Sequence, residues 1–213
     1  MSNIKVIEGG VTAAKGYMAA STAAGIKYQG RTDMALVYSD TPAKAAGVYT
    51  TNVVKAAPVL WDKAITDSEQ LVSAIVVNSG IANACTGEKG MAICQKTGEA
   101  VASVIGGDAK AVLVGSTGVI GMQINAEKIA AGAIDLLSKK AYGLAAGTEA
   151  SKAIMTTDTK NKEVAVQIEI GGKTVTIGAM CKGAGMIHPN MCTMLGFITT
   201  DLDISKELLQ AAL

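Results

Sequence analysis

The stretch Lys182-Gly-Ala-Gly-Met-Ile-His-Pro-Asn-Met-Cys-Thr193-Met-Leu-Gly-Phe-Ile-Thr-Thr-Asp201 decides how the rest of this 213-residue chain is read. Glycines at 183 and 185, followed by Pro189-Asn190, interrupt regular structure and force a tight backbone path. Directly behind that turn, Met194-Leu-Gly-Phe-Ile198 is a short apolar run that reads as a buried strand. Thr193 therefore stands where a strained loop enters a core strand. Strain in the preceding peptide is relieved by breaking it, so a hydroxyl here is well placed to attack the neighbouring carbonyl. A threonine freed at a new N-terminus carries both a nucleophile and an amine that serves as its own base. An ordinary turn leading into a strand, with Thr193 a plain β-former, accounts for the same residues.

Just upstream, Glu163-Val-Ala-Val-Gln-Ile-Glu-Ile170 and Lys173-Thr-Val-Thr-Ile177 alternate with period two about Gly171-Gly172, which predicts a hairpin with a two-residue turn. The hairpin also removes a false lead. Gly172-Lys173-Thr174 mimics the end of a phosphate-binding P-loop, but Gln167 stands where that motif requires glycine. Earlier in the chain, Ala74–Val77 and Ala111–Val114 read as buried strands that end in Asn78-Ser-Gly80 and Ser116-Thr-Gly118. Helical spacing runs from Glu88 to Ile105 and stops at Gly106-Gly107. A second helix opens at Asn125 or Ala126, and a third covers 145–155. This strand–helix alternation is an α/β rhythm. Met34–Tyr38 and Gly47–Thr50 read as strands flanking a turn at Asp40-Thr-Pro42, with Val59-Leu-Trp61 a further apolar stretch and a helix over 62–70. Residues 9–33 read as loop and short strand. The tail begins a helix behind a Ser205 cap.

Charge and composition exclude several classes. Nineteen basic and 18 acidic residues are scattered without a basic stripe, and an aromatic fraction of 3% offers few stacking platforms, so nucleic acid is not an expected partner. The N-terminus lacks a signal-peptide pattern, and no apolar window approaches the ~18 residues of a membrane span. The expectation is a cytoplasmic protein with no membrane partner. Cys85, Cys94, Cys181 and Cys192 form no CxxC pair, and His188 is the lone histidine, so reduced thiols and no metal site are expected.

Lys182–Thr193, together with Met155-Thr-Thr-Asp158, Ser116-Thr-Gly-Val-Ile-Gly121 and Val77-Asn-Ser-Gly80, resembles the glutamate N-acetyltransferase / ornithine acetyltransferase family of arginine biosynthesis. Gly9-Gly-Val-Thr12, Tyr38-Ser-Asp40 and Lys55-Ala-Ala-Pro58 extend the likeness from end to end, in the family's order. The resemblance implies an α/β fold of mixed β-sheets packed with helices, on a self-processing threonine-nucleophile acyltransferase scaffold. It implies cleavage between Cys192 and Thr193, and a ping-pong transfer of an acetyl group from N-acetylornithine to glutamate through Thr193. Thr117 and Gly118 match the family's oxyanion-hole pair, a hydroxyl and a glycine N–H just past a strand's end, although an ordinary strand-to-loop turn has the same sequence. Thr156 and Lys182 match its substrate contacts, for which a hydroxyl and an ammonium suit an α-carboxylate; spacing alone does not separate Thr156 from Thr157, and Thr156 is preferred. No cofactor is implied, and acetyl-CoA as an additional donor is left open. His188 is read as a turn residue because the Thr193 amine can act as base. Tyr38–Asp40 and Asn78–Gly80 are read as structural.

Three departures stand out. Cys192 replaces the family's more usual alanine before the nucleophile, and Ile81 occupies a position usually held by asparagine. Only 21 residues follow Cys192, whereas the resemblance implies roughly as many residues again as precede it. The division expected is an alpha-chain domain, 1–192, and a truncated start of a beta chain, 193–213. The missing half would then complete a heterotetramer with two copies of each chain, and this fragment alone would lack a complete acetyltransferase site. Two alternatives accompany that reading: a threonine-nucleophile amidohydrolase or aminopeptidase on a related scaffold, with water as acceptor, and an inert structural fragment with apolar surface exposed where a second half docks.

Overall fold

Residues 4–183 and 194–213 are described in a computed structural model of the chain. In order come β1 (Lys5–Ile7), β2 (Tyr17–Thr22), β3 (Met34–Ala43), α1 (Ala57–Thr66), β4 (Val72–Asn78), α2 (Glu88–Ile105) and β5 (Val112–Ser116). Then follow α3 (Ala126–Lys139), α4 (Leu144–Ala153), β6 (Lys162–Ile170), β7 (Lys173–Lys182), β8 (Leu195–Thr200) and α5 (Lys206–Ala212). Two four-stranded sheets result, β1-β6-β7-β8 and β2-β3-β4-β5. The first is antiparallel throughout. The second is mixed, because β4 and β5 run parallel with α2 as their crossover.

Local chemistry explains the elements. Gly171 and Gly172 take φ of +59° and +76°, the pair of positive values that a two-residue hairpin turn needs, and Ile170 faces Lys173 across it. Asn125 caps α3 by accepting from the Glu127 and Lys128 N–H groups at 2.9 and 3.1 Å, and the Ser205 hydroxyl accepts from Leu208 N–H at 3.3 Å to open α5. The α2 limits match those expected from its spacing.

Buried Met34, Leu36, Val76, Val101, Val112, Ile129, Leu136 and Leu137 join one face of the mixed sheet to α2 and α3. Its other face, through Ala35, Val37 and Val77, meets Ile154, Ala150 and Ala153 at α4 and Met180 on β7. The two sheets thus share a core with α4. The outer face of the antiparallel sheet is less covered: Val6, Val164 and Ile198 are exposed.

Four sequence expectations need correction. Asp40-Thr-Pro42 is no turn; β3 runs on to Ala43, with a register irregularity after Tyr38 that accommodates a proline lacking an N–H. Gly47–Thr50 is irregular and pairs with no strand among the described residues. Val59–Trp61 is not a separate stretch but the middle of α1, which begins at Ala57 with Pro58 in its first turn; Ala57, Trp61 and Ile65, four apart, form its buried stripe. From Leu195 the run 194–198 enters β8, but β8 is an edge strand with Ile198 56% exposed, so it is only half-buried.

Helix α1 covers the free edge of β5. Trp61 Nε1 donates to Val112 O at 2.9 Å, and Val114 N–H donates to the Asp62 carboxylate at 2.8 Å. Desolvation raises the Asp62 carboxyl from 3.8 to about 8, against the lowering effect of the Val114 bond. A group whose proton affinity rises on folding contributes stability below the unfolded value that is lost as pH climbs to the folded one. Wild-type stability should therefore fall between about pH 4 and 8, and Asp62→Asn, which still accepts from Val114, should flatten that slope. The expected difference is on the order of 1–2 kcal/mol, since each tenfold change in proton affinity is worth about 1.4 kcal/mol and a carboxyl relaxes toward water. Urea denaturation at several pH values measures it.

Candidate active site

Because β4 and β5 are parallel, their C-terminal ends lie side by side, with Asn78 opposite Ser116. Both chains leave the sheet there as loops that remain laced together. Thr117 N–H donates to Asn78 O at 3.0 Å, Val119 N–H to Gly80 O at 3.2 Å, Ala82 N–H to Val119 O at 2.9 Å and Gly121 N–H to Ala84 O at 2.9 Å. Asn78 Nδ2 closes its own turn on Ile81 O at 2.8 Å, and the Ser79 hydroxyl reaches Ala153 O of α4 at 2.7 Å. Asn78 and Ser79 are thus the structural frame of the site. Ile81, buried at 5% exposure, packs into the helix–sheet core, which explains an apolar residue there.

Gly118 is required on two grounds. Its φ is +136°, and a Cβ would stand 2.3 Å from both the carbonyl carbon and the oxygen of Gly80. The lacing takes Thr117's own N–H but leaves two groups: the Thr117 hydroxyl and the Gly118 N–H, for which no acceptor exists among the described residues.

The Thr117 side chain meets the other sheet. Lys182 closes β7, is only 4% exposed, and donates from Nζ to Thr117 Oγ1 at 3.0 Å. An ammonium can only donate, so Thr117 Oγ1 is the acceptor and its own hydrogen is turned toward another partner. A hydroxyl polarised in this way is a stronger donor than a free one. Burial lowers the Lys182 pKa, Asp158 opposes that fall and Lys162 adds to it; the net shift is downward.

Asp158 joins the remaining parts. One carboxylate oxygen accepts from Lys162 Nζ at 2.6 Å and from Gly183 N–H at 3.0 Å, and the other from Thr156 N–H at 3.3 Å. Its side chain is fully buried. Burial alone would raise its pKa, but Lys162 and the two N–H groups outweigh burial and bring it down to about 2. Thr156 is half-buried beside this carboxylate and Thr157 is exposed. Arg31 adds a bond from Nη2 to Met155 O at 2.7 Å, holding the loop before β3 against the same turn.

Thr117, Gly118, Thr156 and Lys182, 65 residues apart at their extremes, thus meet in one place. Thr193, Cys192 and His188 lie outside the described residues. The chain on either side of them converges on the same place. Leu195 pairs with Lys182, and a Cβ on Gly183 would stand 3.0 Å from Met194 Cγ. Sequence reasoning assigned Asp158 no role; its signal was an aspartate two residues after Thr156 and four before Lys162, suited to a turn N–H and a lysine at once.

The ArgJ family model matches residues 18–213. The chain belongs to the ArgJ family. It is 48% identical over 208 residues to the arginine biosynthesis bifunctional protein ArgJ of Gloeobacter violaceus, covering 98% of this chain and 51% of that relative. The ArgJ protein of Symbiobacterium thermophilum is 48% identical over 209 residues, covering 97% and 51%. The chain therefore spans about half the length of the curated relatives it matches. Among solved structures, ArgJ from Bacillus halodurans superposes with a TM-score of 0.83 at 38% identity, over 92% of this chain and 100% of that one. The ornithine acetyltransferase of Mycobacterium tuberculosis, complexed with ornithine, gives 0.80 at 42% identity, over 91% and 100%. The expected α/β arrangement of sheets packed with helices is the fold of this family.

Because Gly118 has neither the space nor the backbone angle for a side chain, Gly118→Ala should destabilise the protein by at least ~2 kcal/mol, read as a lowered thermal midpoint. Gly121→Ala, whose Cβ would meet nothing within 4 Å though its φ is +78°, should cost less.

Proposed function

We propose that this chain carries the acyl-transfer half of an arginine-biosynthetic acetyltransferase that moves an acetyl group from N-acetylornithine to glutamate. The observation that carries the reading is the buried Lys182–Thr117 pair beside the Gly118 N–H, at the point where both ends of the 184–193 segment open. Cleavage of the Cys192–Thr193 peptide would free Thr193 as an N-terminal nucleophile. A divided chain is in keeping with two facts: the chains of the two solved relatives are covered in full by this one, while the curated relatives are about twice as long.

In the first half-reaction, Thr193 Oγ adds to the acetyl carbonyl as its proton passes to the threonine's own α-amine. Negative charge develops on the carbonyl oxygen, where the Thr117 hydroxyl and the Gly118 N–H are the donors that receive it. The amide C–N bond breaks, the ornithine amine takes the proton and leaves, and an acetyl ester remains on Thr193. The amine of glutamate then attacks that ester, its C–O bond breaks and Thr193 regains its hydrogen. Lys182 and the Thr156 hydroxyl are read as ligands for the α-carboxylate that donor product and acceptor share. The second half of the family's chain is required for a complete site, and two copies of each half form the expected assembly.

The test uses the chain extended to the length of its relatives. Its mass should divide at Cys192–Thr193, and Thr193→Ala should remain whole. The cleaved protein, incubated with N-acetylornithine alone, should carry an acetyl group on the fragment beginning at Thr193, and glutamate should discharge it. Thr117→Val should lower kcat by ~10²–10³-fold with a smaller effect on KM, as expected for one oxyanion donor. A folded, cleaved protein that releases acetate whether or not glutamate is present would instead be an amidohydrolase; one that transfers nothing overturns the reading.

A further inference from the structure

Lys182 is a cation in a poor place for one. It is 4% exposed, its one polar contact among described side chains is a neutral hydroxyl, and Lys162 lies near enough to repel it. Without compensation, a buried lysine gives up its proton, and a neutral amine could accept the Thr117 hydrogen in place of donating to its oxygen. The Thr117 hydroxyl would then point its hydrogen at Lys182 and away from the substrate. The direction of that one hydrogen depends on the charge of Lys182.

Asp158 is the group that can set this charge. Its side chain is fully buried, it bonds Gly183 N–H, the residue directly after Lys182, and it closes its own turn on Thr156 N–H. It is ion-paired to Lys162 at 2.6 Å, and its negative charge also favours the charged form of Lys182. Asp158 favours the charged form of Lys182 and Lys162 opposes it.

We propose that Asp158 is a positioning residue for the site: its carboxylate fixes the turn at Thr156 to the end of β7 and keeps Lys182 an ammonium, so that the Thr117 hydroxyl presents its hydrogen to the reacting carbonyl. Asp158 makes no hydrogen bond to Thr117 and acts through Lys182. Lys162 shares the carboxylate and thereby moderates it. The inference deepens the reading of Lys182 and Thr117 as an acyl-transfer site, but the charge of Lys182 can be measured without any transfer.

Competitive labelling of lysine amines by a trace acylating reagent across about pH 7–11, read peptide by peptide by mass spectrometry, follows the deprotonation of Lys182 in the 213-residue chain. Asp158→Asn keeps an oxygen for Gly183 N–H but removes the charge, so Lys182 should become reactive at a pH lower by about one unit. A role confined to holding the turn would change stability and leave that midpoint where it is. Lys162→Gln supplies an independent arm, because Lys162 is 42% exposed at its side chain and is not part of the core. It removes a repelling charge and leaves Asp158 undivided, so the Lys182 midpoint should rise. In the extended, active chain, the alkaline limb of the kcat profile should move in the same directions. An unmoved Lys182 midpoint in folded Asp158→Asn, or a downward move in Lys162→Gln, overturns the proposal while leaving the transfer reaction to be judged on its own assay.

Discussion

The bond from Lys182 Nζ to Thr117 Oγ1 is the contact on which the site depends, because its two partners belong to different sheets. Lys182 ends β7 of the antiparallel sheet and Thr117 follows β5 of the mixed one. A buried ammonium tolerates few positions, since its desolvation must be offset by specific partners. The sheets must therefore keep one relative placement for this pair to survive. Met180, Phe197 and Leu195 on the antiparallel sheet and Val37 and Val77 on the mixed one hold that placement through a shared apolar core. Packing sets the distance, and the polar pair penalises any other distance.

On the Thr117 side, precision comes from backbone rather than side chains. Two parallel strands release their loops in the same direction, and the loops then bond to one another through main-chain groups. Gly118 lies against the Gly80 carbonyl so closely that no other residue fits. A donor fixed by such contacts does not reorganise when charge develops beside it, and that absence of reorganisation is what makes a preorganised donor effective.

Much of this was readable from residue order, and the failures have physical causes. The hairpin at Gly171-Gly172 and the helix over 88–105 follow from period and punctuation, which are local properties. Trp61 was misassigned to an apolar stretch because a triplet carries no period; only the four-residue spacing to Ala57 and Ile65 reveals a helix. Pro42 reads as a turn until the register irregularity of β3 makes a strand of it. Lys182 ordinarily reads as a solvated charge, and its burial depends on the meeting of two sheets, which no local pattern encodes. Thr117, Gly118, Thr156 and Lys182 were singled out by family likeness, and the fold brings them together. Asp158 lay in the same motif as Thr156, but its reach to Gly183 N–H needed the fold.

The charges at the site form a short alternating series: Lys162, Asp158, Lys182. Its sum is one positive charge, most of it on a residue with almost no access to water. Taking the last cation out of water is unfavourable unless another negative group approaches. On the proposed reading, a ligand's carboxylate, or a carbonyl acquiring negative charge in an addition step, would supply that missing charge. The protein has already met the cost of desolvating the ammonium during folding, so the interaction is stronger than the same contact in water. An isolated structural role for Lys182 would be better served by a neutral side chain of similar length. On the proposed acyl-transfer reading, a buried cation that shares its counter-ion with Lys162 is suited to receive negative charge.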